Sequence, residues 1–116
     1  MQHLRRPAVA GTFYPDQSLT LSRKVKELIN AAPFSEGTDA AVPKALIVPH
    51  AGYIYSGATA ALAYARLAPA RNKIKRVVLL GPVHRVPVRG LALAGATLFS
   101  TPLGDIEVDQ EAVMAL

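Results

Sequence analysis

The sequence predicts an α/β fold with a mainly parallel sheet and helices on its faces, and three observations predict it. Two short continuous apolar runs, Ala45–Val48 and Val77–Leu80, have the composition of strands covered on both faces. An alanine-rich stretch from Ala58 to Leu67 lies between them and reads as a helix. Strand, helix and strand over this interval make a βαβ unit with a right-handed crossover.

The elements follow in chain order. From Ser18 to about Ala32, Leu21, Val25, Leu28 and Ile29 recur at helical spacing with Lys24, Lys26 and Glu27 between them. Asp16 or Ser18 is placed to cap that helix, and Pro33 to stop it. A loop carrying Ser35, Glu36, Gly37, Thr38 and Asp39 runs on to Pro43. After the first strand, Gly52 to Gly57 is turn-like, and the second strand closes at Gly81-Pro82. Leu91 to Phe99 offers one or two further strands, Thr101 to Asp105 a turn, and Asp109 the cap of a helix over Glu111–Leu116. The sequence ends about two turns into that helix, with no closing strand, which would leave sheet edges open. The expectation is one incomplete domain over 1–116, the N-terminal portion of a larger α/β domain or one completed by a partner.

Composition excludes several classes. With 51% hydrophobic and 18% charged residues, the chain is no disordered tail. It has no cysteine, which removes disulfide scaffolds, thiolate zinc sites and cysteine nucleophiles together. Thirteen Lys and Arg against eight Asp and Glu leave a net charge of +5. The basic residues are scattered and lack interleaved aromatics, which argues against nucleic acid. Ala45 to Ala65 is uncharged and matches the roughly 20 residues of a membrane span. Pro49, His50, Gly52, Tyr53, Tyr55, Ser56 and Gly57 interrupt it where continuous apolar side chains are required. The start of the chain lacks the apolar core of a signal peptide. A soluble, cytoplasmic protein is expected.

His50 and His84 carry the most chemical information. Each follows a predicted strand, and in open α/β sheets sites form just beyond the carboxyl ends of the strands. Neighbouring strands lie about 4.8 Å apart, so two imidazoles there could reach one metal at about 2.0–2.2 Å from each nitrogen. Histidine suits zinc, iron, copper and nickel alike. A catalytic site usually takes three protein ligands, and no third candidate in this chain has comparable placement. The alternative is that each histidine bonds backbone or water at a strand end.

Gly52 to Gly57 followed by Ala58-Thr59 approaches a phosphate-binding loop, but Ala58 stands where its lysine would be. That argues against nucleotide hydrolysis and leaves open an anion at the following helix N-terminus. Phe13-Tyr14-Pro15 reads as an aromatic patch on the core. His3 reads as solvated, Arg85 and Arg89 as exposed loop residues or as contacts for an anionic substrate, and the alternating Asp105, Glu107, Asp109 and Glu111 as an exposed strand edge and helix start.

Four ordered stretches carry a resemblance: Arg6–Pro15 (RPAVAGTFYP), Pro49–Gly57 (PHAGYIYSG), Leu80–Arg85 (LGPVHR) and Thr101–Gly104 (TPLG). In that order they resemble the Memo family, whose bacterial and archaeal members are called AmmeMemoRadiSam system protein B. The resemblance implies the N-terminal part of a fold similar to the class III extradiol dioxygenases, which hold non-haem iron. It places His50 and His84 on two metal-site histidines, with Fe(II) or copper as cofactor, and Phe13 and Tyr55 on positions lining the same pocket. Phe13 replaces a tryptophan of the animal protein, and Val83 replaces the small residue usual before the second histidine. An aspartate, a further histidine and a cysteine of the family pocket come later than this chain extends.

The function so implied is a mononuclear metal pocket with a redox or dioxygenase-like role, in a system with a radical-SAM enzyme and an AMMECR-type domain protein. Two alternatives stand beside it. One is a non-enzymatic pocket for a phosphorylated or carboxylate ligand, a peptide or a protein partner. The other is a truncated fragment without activity of its own.

Overall fold

A computed structural model describes residues 1–33 and 41–116. The predicted loop with Ser35, Glu36, Gly37, Thr38 and Asp39 lies outside the described residues. The chain is α/β and forms two compact units, Ala8–Lys75 and a second made of Met1–Pro7 with Arg76–Leu116.

The first unit is helical. Helix α1 spans Ser18–Ala31, and the four residues picked out by periodicity face inward. Leu21 is buried, and Val25, Leu28 and Ile29 are half-buried. Neither Asp16 nor Ser18 caps it: Gln17 holds the cap position and makes no side-chain bond. The helix ends before Pro33, which disfavours helical backbone in the residue preceding it. Helix α2 spans Tyr53–Tyr64 and continues as a 3-10 segment over Ala65–Ala70. It packs on α1 through small residues. Ser56, Gly57 and Ala61 are buried, while Ile54 and Tyr55 on the same helix are 87% and 83% exposed.

The second unit carries the sheet, whose order is β1-β2-β3, with β1 at Leu4–Arg5, β2 at Leu98–Thr101 and β3 at Gly104–Glu107. β1 pairs parallel to β2, with Leu4 opposite Leu98. β2 and β3 pair antiparallel, with Thr101 opposite Gly104. The sheet is therefore mixed, which corrects the expectation of a mainly parallel one. The reason is local. Pro102-Leu103 makes a two-residue hairpin loop, and two strands so joined can only run antiparallel. Gly104 has φ +126, a conformation closed to side chains, and the Thr101 hydroxyl donates to its carbonyl at 2.8 Å. Helix α3, Gln110–Met114, begins as expected at Asp109, whose carboxylate accepts from the Ala112 N–H at 3.0 Å. The same carboxylate holds the Arg76 guanidinium at 2.9 Å.

Neither Ala45–Val48 nor Val77–Leu80 is a strand among the described residues, so the expected βαβ unit is not formed there. A strand exists by its ladder, and these runs make none. Of the stretch Leu91 to Phe99, only Leu98-Phe99 belongs to a strand. No helix among the described residues is long and apolar enough to cross a membrane.

Candidate functional site

Two of the motif stretches are joined by backbone chemistry within the helical unit. The chain from Val9 to Tyr14 folds into a tight knot. Gly11 donates to the Tyr14 carbonyl at 2.8 Å, and Thr12 and Phe13 donate to the Val9 carbonyl at 3.1 and 2.9 Å. Gly11 supplies the left-handed residue that this turn requires, at φ +81. The knot presents the Phe13 carbonyl to the Tyr53 N–H at 2.8 Å, so one motif stretch closes the N-terminus of a helix that begins in the other.

Close approach makes this possible. A Cβ at Gly52 would lie 3.5 Å from the Phe13 Cα and carbonyl oxygen, which is ordinary van der Waals contact between the two stretches. This contact also explains why α2 starts at Tyr53 rather than at Ala58. The Phe13 carbonyl satisfies the first N–H of a turn that in isolation would be left open. The Tyr14 and Tyr53 rings stand 5.7 Å apart at 43°, a tilted aromatic pair. Of the aromatic patch expected at 13–15, Tyr14 is half-buried and Phe13 is exposed.

Ser56 is the residue that sequence reasoning missed. It is buried, and its hydroxyl donates to the Ala51 carbonyl at 2.7 Å, tying the peptide that follows His50 to the first turn of α2. The same hydroxyl lies 3.4 Å from the Gly52 carbonyl four residues back, the usual serine back-bond in a helix, and that habit was the available signal.

Phe13, His50 and Tyr55 thus belong to one local assembly around the start of α2, and all three are exposed. His84 belongs to the other unit, in the stretch 81–90, where every residue is exposed. Among the described residues no group of three His, Cys, Asp or Glu side chains could hold one metal ion. The helix start is also a poor anion site. The Tyr53 N–H is taken by Phe13, and the Tyr55 and Ser56 N–H groups donate to the Gly52 carbonyl at 2.9 and 3.0 Å. Three of the donors that an anion would use are already spent.

Burial pushes the Tyr53 phenol above the ordinary tyrosine value, and the neighbouring Tyr14 and Tyr64 push it further the same way. The folded chain then holds this proton more tightly than the unfolded chain does. That contribution to stability is complete below the unfolded value of about 10 and is lost as pH rises through the higher folded value. Urea titrations on the alkaline side should therefore show the parent losing more stability than Tyr53→Phe. Parallel losses in the two would mean that the phenol is not perturbed.

The profile of the Memo-like protein family matches residues 5–116. A MEMO1 family protein of Aquifex aeolicus is 40% identical over 108 residues, which is 93% of this chain and 38% of that protein. A memo-1 homolog of Caenorhabditis elegans is 36% identical over 110 residues, covering 95% and 30%. Protein MEMO1 of Danio rerio is 36% identical over 107 residues, covering 92% and 34%. The chain spans about a third of the length of these curated relatives.

Proposed function

This chain belongs to the Memo family, and on that premise we propose that it contributes His50 and His84 to a mononuclear iron or copper pocket lined by Phe13 and Tyr55. The observation that supports the reading is the family match over 5–116, which takes in all four motif stretches. The local assembly gives His50 a defined seat, because the peptide that follows it is fastened by Ser56 and the turn after it by Phe13. Two imidazoles are donors that iron and copper both accept. They are not a complete set, since a catalytic site takes about three protein ligands and no triad exists among the described residues. The remaining donors belong, on this reading, to the part of the family's length outside these 116 residues.

The pocket's role would be redox or dioxygenase-like, in company with a radical-SAM enzyme and an AMMECR-type protein. Tyr55 and Phe13 would then bound the space beside His50 with an aromatic face and a phenol, which suits an aromatic or otherwise flat ligand.

The test is an anaerobic thermal melt of the protein with Fe(II) or copper. A metal that binds only the folded form adds about 2.7 kcal/mol at 100 times its dissociation constant. The midpoint should rise in the parent and stay put in His50→Ala and in His84→Ala. A rise that survives both substitutions places the metal elsewhere, and a parent indifferent to metal removes the two-histidine reading for this chain.

A further inference from the structure

We infer that Ser56 is a positioning residue for His50, holding the histidine's backbone in one place before any ligand arrives. The consequence for metal rests on the two-histidine reading proposed above, while the positioning itself does not. Ser56 is 6% exposed, the one buried polar side chain among the described residues. A hydroxyl taken out of water must find a partner. Helix α2 offers this one only a long bond, 3.4 Å to a Gly52 carbonyl that already accepts from the Tyr55 and Ser56 N–H groups. The short bond, 2.7 Å, goes instead to the Ala51 carbonyl, outside the helix and next to His50.

His50 is thereby bracketed. On one side stands Pro49, whose ring locks its φ at about −65°. On the other, Ser56 holds the Ala51 carbonyl, and the Phe13 carbonyl holds the Tyr53 N–H at 2.8 Å. The histidine side chain is exposed, so burial does not anchor it and these backbone ties matter more. A group ordered beforehand loses less freedom when it binds. Partners that orient a ligating histidine typically change metal affinity about 10–100-fold. Ser56 works through the backbone rather than the ring, so the lower end of that range applies.

The test compares Ser56→Ala with the parent 116-residue protein, without metal and with copper. Without metal, backbone nitrogen relaxation should show the Ala51 and Gly52 amides rigid in the parent, with order parameters of about 0.85. In Ser56→Ala they should fall toward about 0.6, while the amides from Ala58 to Ala63 keep their values. With copper, the variant should bind about tenfold more weakly, measured below its melting transition. A serine that served only to start α2 would lower the melting temperature and leave that affinity unchanged, which overturns the proposal. Unchanged order parameters at Ala51 and Gly52 overturn it whatever the affinity does. A parent that takes no copper, beside a variant whose turn still loosens, removes the two-histidine reading and supports the positioning of His50.

Discussion

Leu21→Ala should lower the stability of the helical unit by about 2–5 kcal/mol, the usual range for removing a buried leucine. Leu21 is 4% exposed, and among the described residues the other buried apolar ones are the alanines Ala61, Ala65, Ala70 and Ala96. Alanines bury little surface each, so Leu21, the large buried side chain among the described residues, carries a disproportionate share of the apolar contribution. In a unit this small, each kcal/mol corresponds to about 4–8 °C of melting temperature. Circular dichroism at 222 nm (roughly the helical minimum) reports on α1 and α2 directly. Leu21→Met keeps the volume and should cost less than about 1.5 kcal/mol. Equal losses from alanine and methionine would mean that Leu21 is not a packing residue.

The second large effect is expected at Gly57. A Cβ there would stand 3.0 Å from Leu28 Cδ1 and 3.5 Å from Tyr53 Cβ. A leucine would be driven into the α1–α2 contact, and overpacking of this kind costs about 1–3 kcal/mol. Gly57→Ala is the informative control. It gains about 1 kcal/mol of helix propensity, and its single methyl meets the mobile end of Leu28, so its net effect should be small. Combining Gly57→Leu with Leu28→Ala should cost less than the sum of the two changes, because the clashing methyls are gone. Strict additivity would mean that the two residues do not meet.

The legibility of this fold divides by the range of the interactions involved. α1 and α3 could be read because their determinants are local. Leu21, Val25, Leu28 and Ile29 sit on one face by spacing alone, and Asp109 caps a helix three residues from its own amide partner. Ala45–Val48 and Val77–Leu80 have the composition of strands, yet neither forms one among the described residues. An apolar run states that it must be covered, whereas a strand also needs a partner at the right register. Gly52–Gly57 reads as a turn from its glycines, yet it opens a helix. The Phe13 carbonyl, about forty residues away in sequence, supplies the acceptor, and Leu28 occupies the space that Gly57 leaves.

The candidate site divides in the same way. That Phe13, His50 and Tyr55 lie in two short motif stretches is visible in the sequence, because a motif is read without its neighbours in space. That the Arg6–Pro15 stretch closes the helix begun by the Pro49–Gly57 stretch was invisible, as was the fastening of the His50 turn by Ser56. By itself the sequence determined the α/β class, the family, the inward face of α1 and the residues that could carry chemistry. Those depend on composition, spacing and side-chain identity. The tertiary structure decided where α2 begins, the mixed sense of the sheet and which motif stretches touch, since each depends on a hydrogen bond or close contact between residues distant in the chain.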